Sequence, residues 1–176
     1  MQVPTIETER LRLRAHRHED FPACAAMWAD PEVTKYIGGK PSNEQQTWTN
    51  FLSYAGHWQL LGFGYWAIET KDTHEFAGEA GFADFKRGLA PSMSDVPEIG
   101  FALASKFHGR GIATEAARAA LSWSDRHFAS PRTVCLIHPL NVASQKVVEK
   151  CGYTVFARGD FNNRPLLFLE RLATRP

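Results

Sequence analysis

The stretch Lys106-Phe107-His108-Gly109-Arg110-Gly111-Ile112-Ala113-Thr114-Glu115-Ala116 sets two glycines one residue apart, between a strand-like and a helix-like segment. A glycine-rich turn that runs straight into a helix presents consecutive backbone N–H groups at the positive end of the helix dipole, which suits an anion such as pyrophosphate. Glycine lets the backbone approach such a ligand closely. The alternative is a tight turn that only joins two elements. A P-loop would need G-x-x-x-x-G-K-S/T, which is absent. A dinucleotide fingerprint would need G-x-G-x-x-G/A and an acidic residue about 20 positions on. Thr114 holds the third glycine place, and residues 129–138 contain neither Asp nor Glu. An NAD-dependent oxidoreductase is therefore disfavoured.

Glu98 is the single carboxylate in the apolar run Pro97–Leu103, where partial burial would raise its pKa toward a value useful in a base. A pairing with a nearby Arg or backbone group is the alternative reading. Glu79, on the preceding apolar run, is the reserve candidate. Asn141 and Ser144 stand three apart at the start of a helical pattern, where a cap and a first-turn hydroxyl need no ligand. The seven histidines are scattered and only His16 and His18 are close, so surface histidines are expected rather than a metal site.

The elements that must position these residues follow from periodicity. Leu11 and Leu13 alternate with arginines over Thr8–Arg14, the pattern of a strand with one buried face. Glu19–Ala29 reads as a short helix stopped by Asp30-Pro31. Ser42 and Gln45 form a capping-box pattern that opens a second helix through Trp48, Phe51, Leu52 and Ala55. Residues 64–69, 75–85 and 98–104 read as an antiparallel meander. A helix with Ile112, Ala116, Ala119, Ala120 and Trp123 on one stripe follows, then a strand at Val134–Ile137. Ala143, Val147 and Cys151 mark a last helix closed by Gly152, and Tyr153–Phe156 with Leu166–Leu169 flank a turn at Gly159–Asn163. The order predicts one mixed α/β (α+β) domain over residues 1–176, with about seven strands and four helices.

Composition bounds the rest. The chain of 176 residues has 44% hydrophobic and 22% charged residues, ordinary for a globular protein, and a formal net charge of +1, so nucleic acid is not an expected partner. Cys24, Cys135 and Cys151 are odd in number and far apart, which predicts reduced buried thiols and favours the cytoplasm. The N-terminal residues contain no apolar stretch like that of a signal peptide, and there is no run of about 18 apolar residues, so membrane association is not expected.

Lys106, Gly109 and Gly111 resemble the signature Q/R-x-x-G-x-G/A of the GNAT acetyltransferase superfamily. The likeness extends to Pro97-Glu98-Ile99-Gly100-Phe101-Ala102-Leu103 before the turn, and to Asn141-Val142-Ala143-Ser144 and Glu149-Lys150-Cys151-Gly152-Tyr153 after it. Thr8–Arg14 and Asp30–Val33 look like the RimJ/RimL-type branch, which includes ribosomal-protein N-terminal acetyltransferases. The resemblance implies a mostly antiparallel sheet splayed between its fourth and fifth strands, with acetyl-CoA as cosubstrate, an amine acceptor, no metal, and a monomer or homodimer. It implies that amides of roughly His108, Gly109, Arg110, Gly111, Ile112 and Ala113 hold the pyrophosphate. Arg110 and Thr114 would add side-chain contacts, although Arg110 also reads as a solvated surface residue. Backbone N–H groups of Phe101, Ala102 and Leu103 would face the thioester carbonyl, where such donors stabilise an oxyanion. Asn141 would contact pantetheine or the acceptor.

Acetyl transfer to an amine needs a base and an acid beside the thioester. Glu98 is the candidate base. The tyrosine common in the family one turn beyond the Asn-x-x-Ala/Ser step is here Val148, so Ser144 is the candidate acid and Tyr153 its alternative. The missing tyrosine also admits a non-catalytic acyl-CoA sensor with the same fold. The apolar settings of Cys135 and Cys151 favour direct transfer without an acetyl-cysteine step. Trp48 or Trp58 is a candidate for the acceptor pocket.

Overall fold

Leu11 and Leu13 are fully buried along strand β2 (Leu11–Arg14), as period-two alternation requires, in a computed structural model that describes residues 2–173. The stretch from Thr8 to Arg14 is not one strand. Thr8 N donates to Leu11 O at 2.9 Å and Leu11 N to Thr8 Oγ1 at 3.0 Å, closing a turn that lays the short β1 (Ile6–Glu7) antiparallel to β2. This hairpin brings the sheet to eight strands among the described residues, rather than seven.

The predicted meander forms β3 (Tyr65–Thr70), β4 (Phe76–Ala83) and β5 (Glu98–Leu103), and the second half contributes β6 (Arg132–Ile137), β7 (Thr154–Phe161) and β8 (Arg164–Leu172). The spatial order is β1-β2-β3-β4-β5-β6-β8-β7, antiparallel except between β5 and β6. β4 and β5 pair over six positions, whereas β5 and β6 meet only at Glu98 and Val134. The two strands part beyond that pair. The opening lies between β5 and β6 because β1 shifts the strand numbering by one.

Among the described residues five helices form rather than four. Asp30-Pro31 ends α1 (Phe21–Ala29) but also starts the one-turn α2 (Pro31–Thr34), since Asp30 Oδ1 accepts from Glu32 N at 2.9 Å and Pro31 suits a first helical position. Glu19 and Asp20 belong to a preceding 3-10 turn, His18–Asp20. The capping box of α3 (Glu44–Leu61) sits one residue later than the sequence suggests: Asn43 and Gln46 bond reciprocally at 2.8 and 3.0 Å. Asn162 and Asn163, both at positive φ, make the final two-residue turn, so Gly159 and Asp160 lie within β7.

Helix α4 (Ile112–His127) packs Ile112, Ala116, Ala120 and Trp123 against one face of the sheet. There Trp58, Trp66 and Trp123 meet edge to face, with centroids 4.8 to 5.5 Å apart. Helices α1 and α3 contribute Cys24, Phe51 and Tyr54 to a cluster with Tyr65 and Ala83. Trp66 and Tyr65, being adjacent in β3, point to opposite faces. The buried Arg14 is held by Asp20 at 2.7 and 2.8 Å and by Glu69 at 2.6 Å, fixing the chain where it leaves β2 for α1.

Candidate active site

The turn after β5 is built by backbone conformation. A 3-10 turn at Ser105–Phe107 is followed by Gly109 at φ 74° and Gly111 at φ 77°, a region that costs other residues strain. A methyl group would meet nothing within 4 Å at Gly109 and only an Arg10 nitrogen at 3.4 Å at Gly111, so the space before the turn is open. No side chain caps α4, and its first backbone bond is from Glu115 N to Gly111 O at 3.1 Å. The amides of Ile112, Ala113 and Thr114 therefore lack helical acceptors, a fit for an anionic group. Glu115 anchors this end by accepting from Thr8 Oγ1 at 2.6 Å and Arg10 Nε at 2.7 Å, while Arg10 also donates to Arg110 O at 2.9 Å. His108 Nε2 lies 2.9 Å from Leu103 O, tying the turn to β5. The Arg110 guanidinium is exposed, 5.5 Å from the Phe107 ring.

Backbone phase along β5 decides which groups face the opening. Val134 N bonds Pro97 O at 3.1 Å on the β6 side, and Ala104 N bonds Ala77 O at 3.0 Å on the β4 side. Alternation then turns the backbone groups of Phe101 and Leu103 toward the gap and those of Ala102 toward β4. Only two of the three predicted amides can thus reach a ligand between the strands. The gap opens into a cavity of about 400 Å³ whose lining includes Glu79, Glu98, Phe101, Asn141, Ser144 and Val148.

Two carboxylates enter this cavity from the same sheet face. Glu98 receives a hydrogen bond from Arg87, whose guanidinium stacks 4.1 Å from the Phe85 ring centroid. Burial raises the Glu98 pKa above its ordinary range, and the Arg87 charge pulls it partway back. Glu79 is fully buried and accepts from Tyr54 Oη, from Trp28 Nε1 at 3.2 Å and from Cys24 Sγ at 3.6 Å. His16 Nε2 lies 3.7 Å from it, and among the described residues no Lys or Arg pairs with it. Burial and the Glu79 charge push the Tyr54 pKa well up, which keeps that hydroxyl a donor.

On the other wall, Asn141 Oδ1 caps α5 (Val142–Glu149) by accepting from Ser144 N at 3.1 Å. The Ser144 hydroxyl has no hydrogen-bond partner among the described residues. Ser144 and Val148, one turn apart, both line the cavity. Tyr153 does not reach it. Its hydroxyl is buried 2.6 Å from Thr133 Oγ1, because the ring falls in the core beneath β6 rather than at the gap.

Residues 10–154 match the family described as acetyltransferase (GNAT) domain. The chain belongs to the GNAT acetyltransferase family. A relative from Bacillus licheniformis, the uncharacterized N-acetyltransferase p20, is 29% identical over 86% of this chain and 83% of its own. A putative GNAT-family acetyltransferase from Bordetella pertussis has a TM-score of 0.84 at 30% identity, covering 96% of this chain and 99% of that one. RimL, a ribosomal L7/L12 alpha-N-protein acetyltransferase solved with coenzyme A, shares the fold at a TM-score of 0.77 and 18% identity, over 97% and 98% of the two chains. As a GNAT protein the chain is an acetyl-CoA-dependent N-acetyltransferase.

In this GNAT domain the structure brings Glu98, Glu79, Ser144, Asn141, Phe101 and Ala102 to one cavity and leaves Leu103, the His108–Thr114 turn and Tyr153 outside its lining. Neither Trp48 nor Trp58 lines the cavity; Trp28 does. Sequence reading missed Arg87, Tyr54, Tyr65 and the Tyr36–His138 ring stack, whose centroids are 5.5 Å apart. Arg87 sits in a polar loop and Tyr54 on a core-like helix stripe, so neither position carried a local signal. Among the described residues no cluster of His, Cys, Asp and Glu side chains is arranged to hold a metal, and no helix is long and apolar enough to cross a membrane.

Proposed function

We propose that the protein moves acetyl directly from acetyl-CoA to a primary amine, either a protein N-terminal α-amine or a small-molecule amine. The observation that carries the reading is one cavity that joins the parted strands to the buried Glu79, the half-buried Glu98 and a serine hydroxyl without a partner among the described residues. The amides of Ile112, Ala113 and Thr114, with the neighbouring turn, hold the pyrophosphate, and the Thr114 and Arg110 side chains extend that contact. Backbone groups of Phe101 and Leu103 hold the acyl-pantetheine arm, and the Phe101 N–H stabilises the oxyanion.

Glu98 takes a proton from the attacking amine, whose nitrogen forms the new bond to the acetyl carbon. The carbon–sulfur bond then breaks, and Ser144 Oγ–H supplies the proton that leaves with sulfur; water relays the proton held by Glu98 back to Ser144, which restores both groups. A positioned acid or base of this kind contributes about 10²- to 10⁴-fold. A panel of amines and N-terminal peptides, assayed for CoA release from acetyl-CoA, tests the reading. Turnover with at least one amine is expected. Acetyl-CoA binding without CoA release over the panel would overturn it in favour of an acyl-CoA sensor.

A further inference from the structure

Tyr65, Gly81 and Gly100 form one row across the sheet, since Tyr65 pairs with Gly81 on β4 and Gly81 with Gly100 on β5. Two successive positions without side chains clear the path for the tyrosine ring. A methyl group on Gly100 would collide with the Tyr65 hydroxyl oxygen and lie 3.1 Å from its Cζ, so the ring spans β4 and delivers its hydroxyl onto β5 beside the gap. The ring is fixed there: Trp58 Nε1 donates to Tyr65 O at 3.0 Å, and Tyr54 stacks on it with centroids 5.3 Å apart. Yet the hydroxyl itself has no hydrogen-bond partner among the described residues, although the residue is only 9% exposed and lines the cavity. The enclosed unpaired side-chain atoms among the described residues are His16 Nε2 and His57 Nδ1, so the Tyr65 oxygen opens to the cavity and is available to a group that enters there.

The rows on either side carry the two carboxylates. Glu79 precedes Gly81 by two residues on β4, and Glu98 precedes Gly100 by two on β5, so both share the face of the Tyr65 hydroxyl. Three acceptor-bearing groups thus surround one patch of β5, which suits a group with several N–H donors. Burial keeps the phenol protonated, with its oxygen lone pairs free to accept.

Resting on the amine-transfer reading above, we propose that Tyr65 is a further catalytic residue: its hydroxyl oxygen accepts a hydrogen bond from the acceptor amine and turns the nitrogen lone pair toward the acetyl carbon at the β5 edge. Gly81 and Gly100 are the positions that let it reach there.

The test measures steady-state kcat and KM for one amine, together with the acetyl-CoA Kd, in wild type, Tyr65→Phe, Gly100→Ala and the double variant. Losing one hydrogen bond to a charged or reacting group lowers kcat/KM about ten- to a hundredfold in Tyr65→Phe, with the acetyl-CoA Kd unchanged. Gly100→Ala displaces the hydroxyl and produces a similar loss, but adds little once the hydroxyl is gone, so the two losses are strongly non-additive. Wild-type kcat and KM in Tyr65→Phe, with or without a lowered melting temperature, would reduce Tyr65 to a packing residue and overturn the inference while leaving acetyl transfer intact. Fully additive losses would overturn it as well. No CoA release by wild type would overturn the transfer reading, and this inference with it.

Discussion

Replacing Arg87 by Met tests whether Glu98 is the base. Arg87 donates to the Glu98 carboxylate, and the two side chains are only 24% and 12% exposed, so solvent screens the pair poorly. At an effective dielectric constant of about 20, unit charges about 4 Å apart interact by about 4 kcal/mol, and an adjacent cation typically lowers a carboxylate pKa by about one to three pH units. Burial already raises the Glu98 pKa above its ordinary value of 4.5, and Arg87 opposes that rise. Removing the cation leaves burial unopposed, so the pKa climbs further. A base must be ionised, hence the acid limb of the kcat/KM profile moves to higher pH, by about one to three pH units. Arg87→Lys, which keeps the charge, leaves the limb near its wild-type position. The assay is kcat/KM against pH with a single acceptor, so that the acceptor's own titration cancels, and a thermal melt checks that each variant is folded. Glu98→Gln loses rate most at neutral pH and less at alkaline pH, where more acceptor is already deprotonated. A limb unmoved in Arg87→Met, or retained in Glu98→Gln, would refute the assignment and pass the role to Glu79 or to water.

Three further outcomes follow from the geometry. Gly111→Val weakens acetyl-CoA binding more than about tenfold, because a β-branched residue at φ 77° distorts the turn; unchanged affinity by calorimetry in a folded variant would detach this turn from the cosubstrate. Ser144→Ala lowers kcat with little change in acetyl-CoA affinity, since the Ser144 amide that Asn141 caps is retained; wild-type kcat would leave Ser144 a helix residue only. Tyr153→Phe keeps wild-type turnover but costs about 1–3 kcal/mol in urea denaturation, because Thr133 loses its buried partner; a kinetic defect without a stability defect would return Tyr153 to the site.

The sequence by itself determined the elements whose signals are local. Period-two alternation placed the buried leucines of β2, the helical stripe placed the core face of α4, and Gly109 and Gly111 marked a turn that only residues tolerant of positive φ adopt cheaply. Where two local signals competed, boundaries slipped: Ser42 and Asn43 both precede a glutamine by three, and the reciprocal capping bonds form at Asn43. The site was legible only in part, because its members are joined by distance in space and not in sequence. Nothing in the letters says that Arg87 meets Glu98 across a loop, that Tyr54 and Trp28 donate to Glu79, or that Tyr153 turns toward Thr133. Strand register decided the most consequential detail. Pairing Tyr65 with Gly81 and Gly81 with Gly100 puts a phenol on β5, and a slip of one residue would turn it to the opposite face. Register is set by the summed packing of whole strands, which no single residue type encodes.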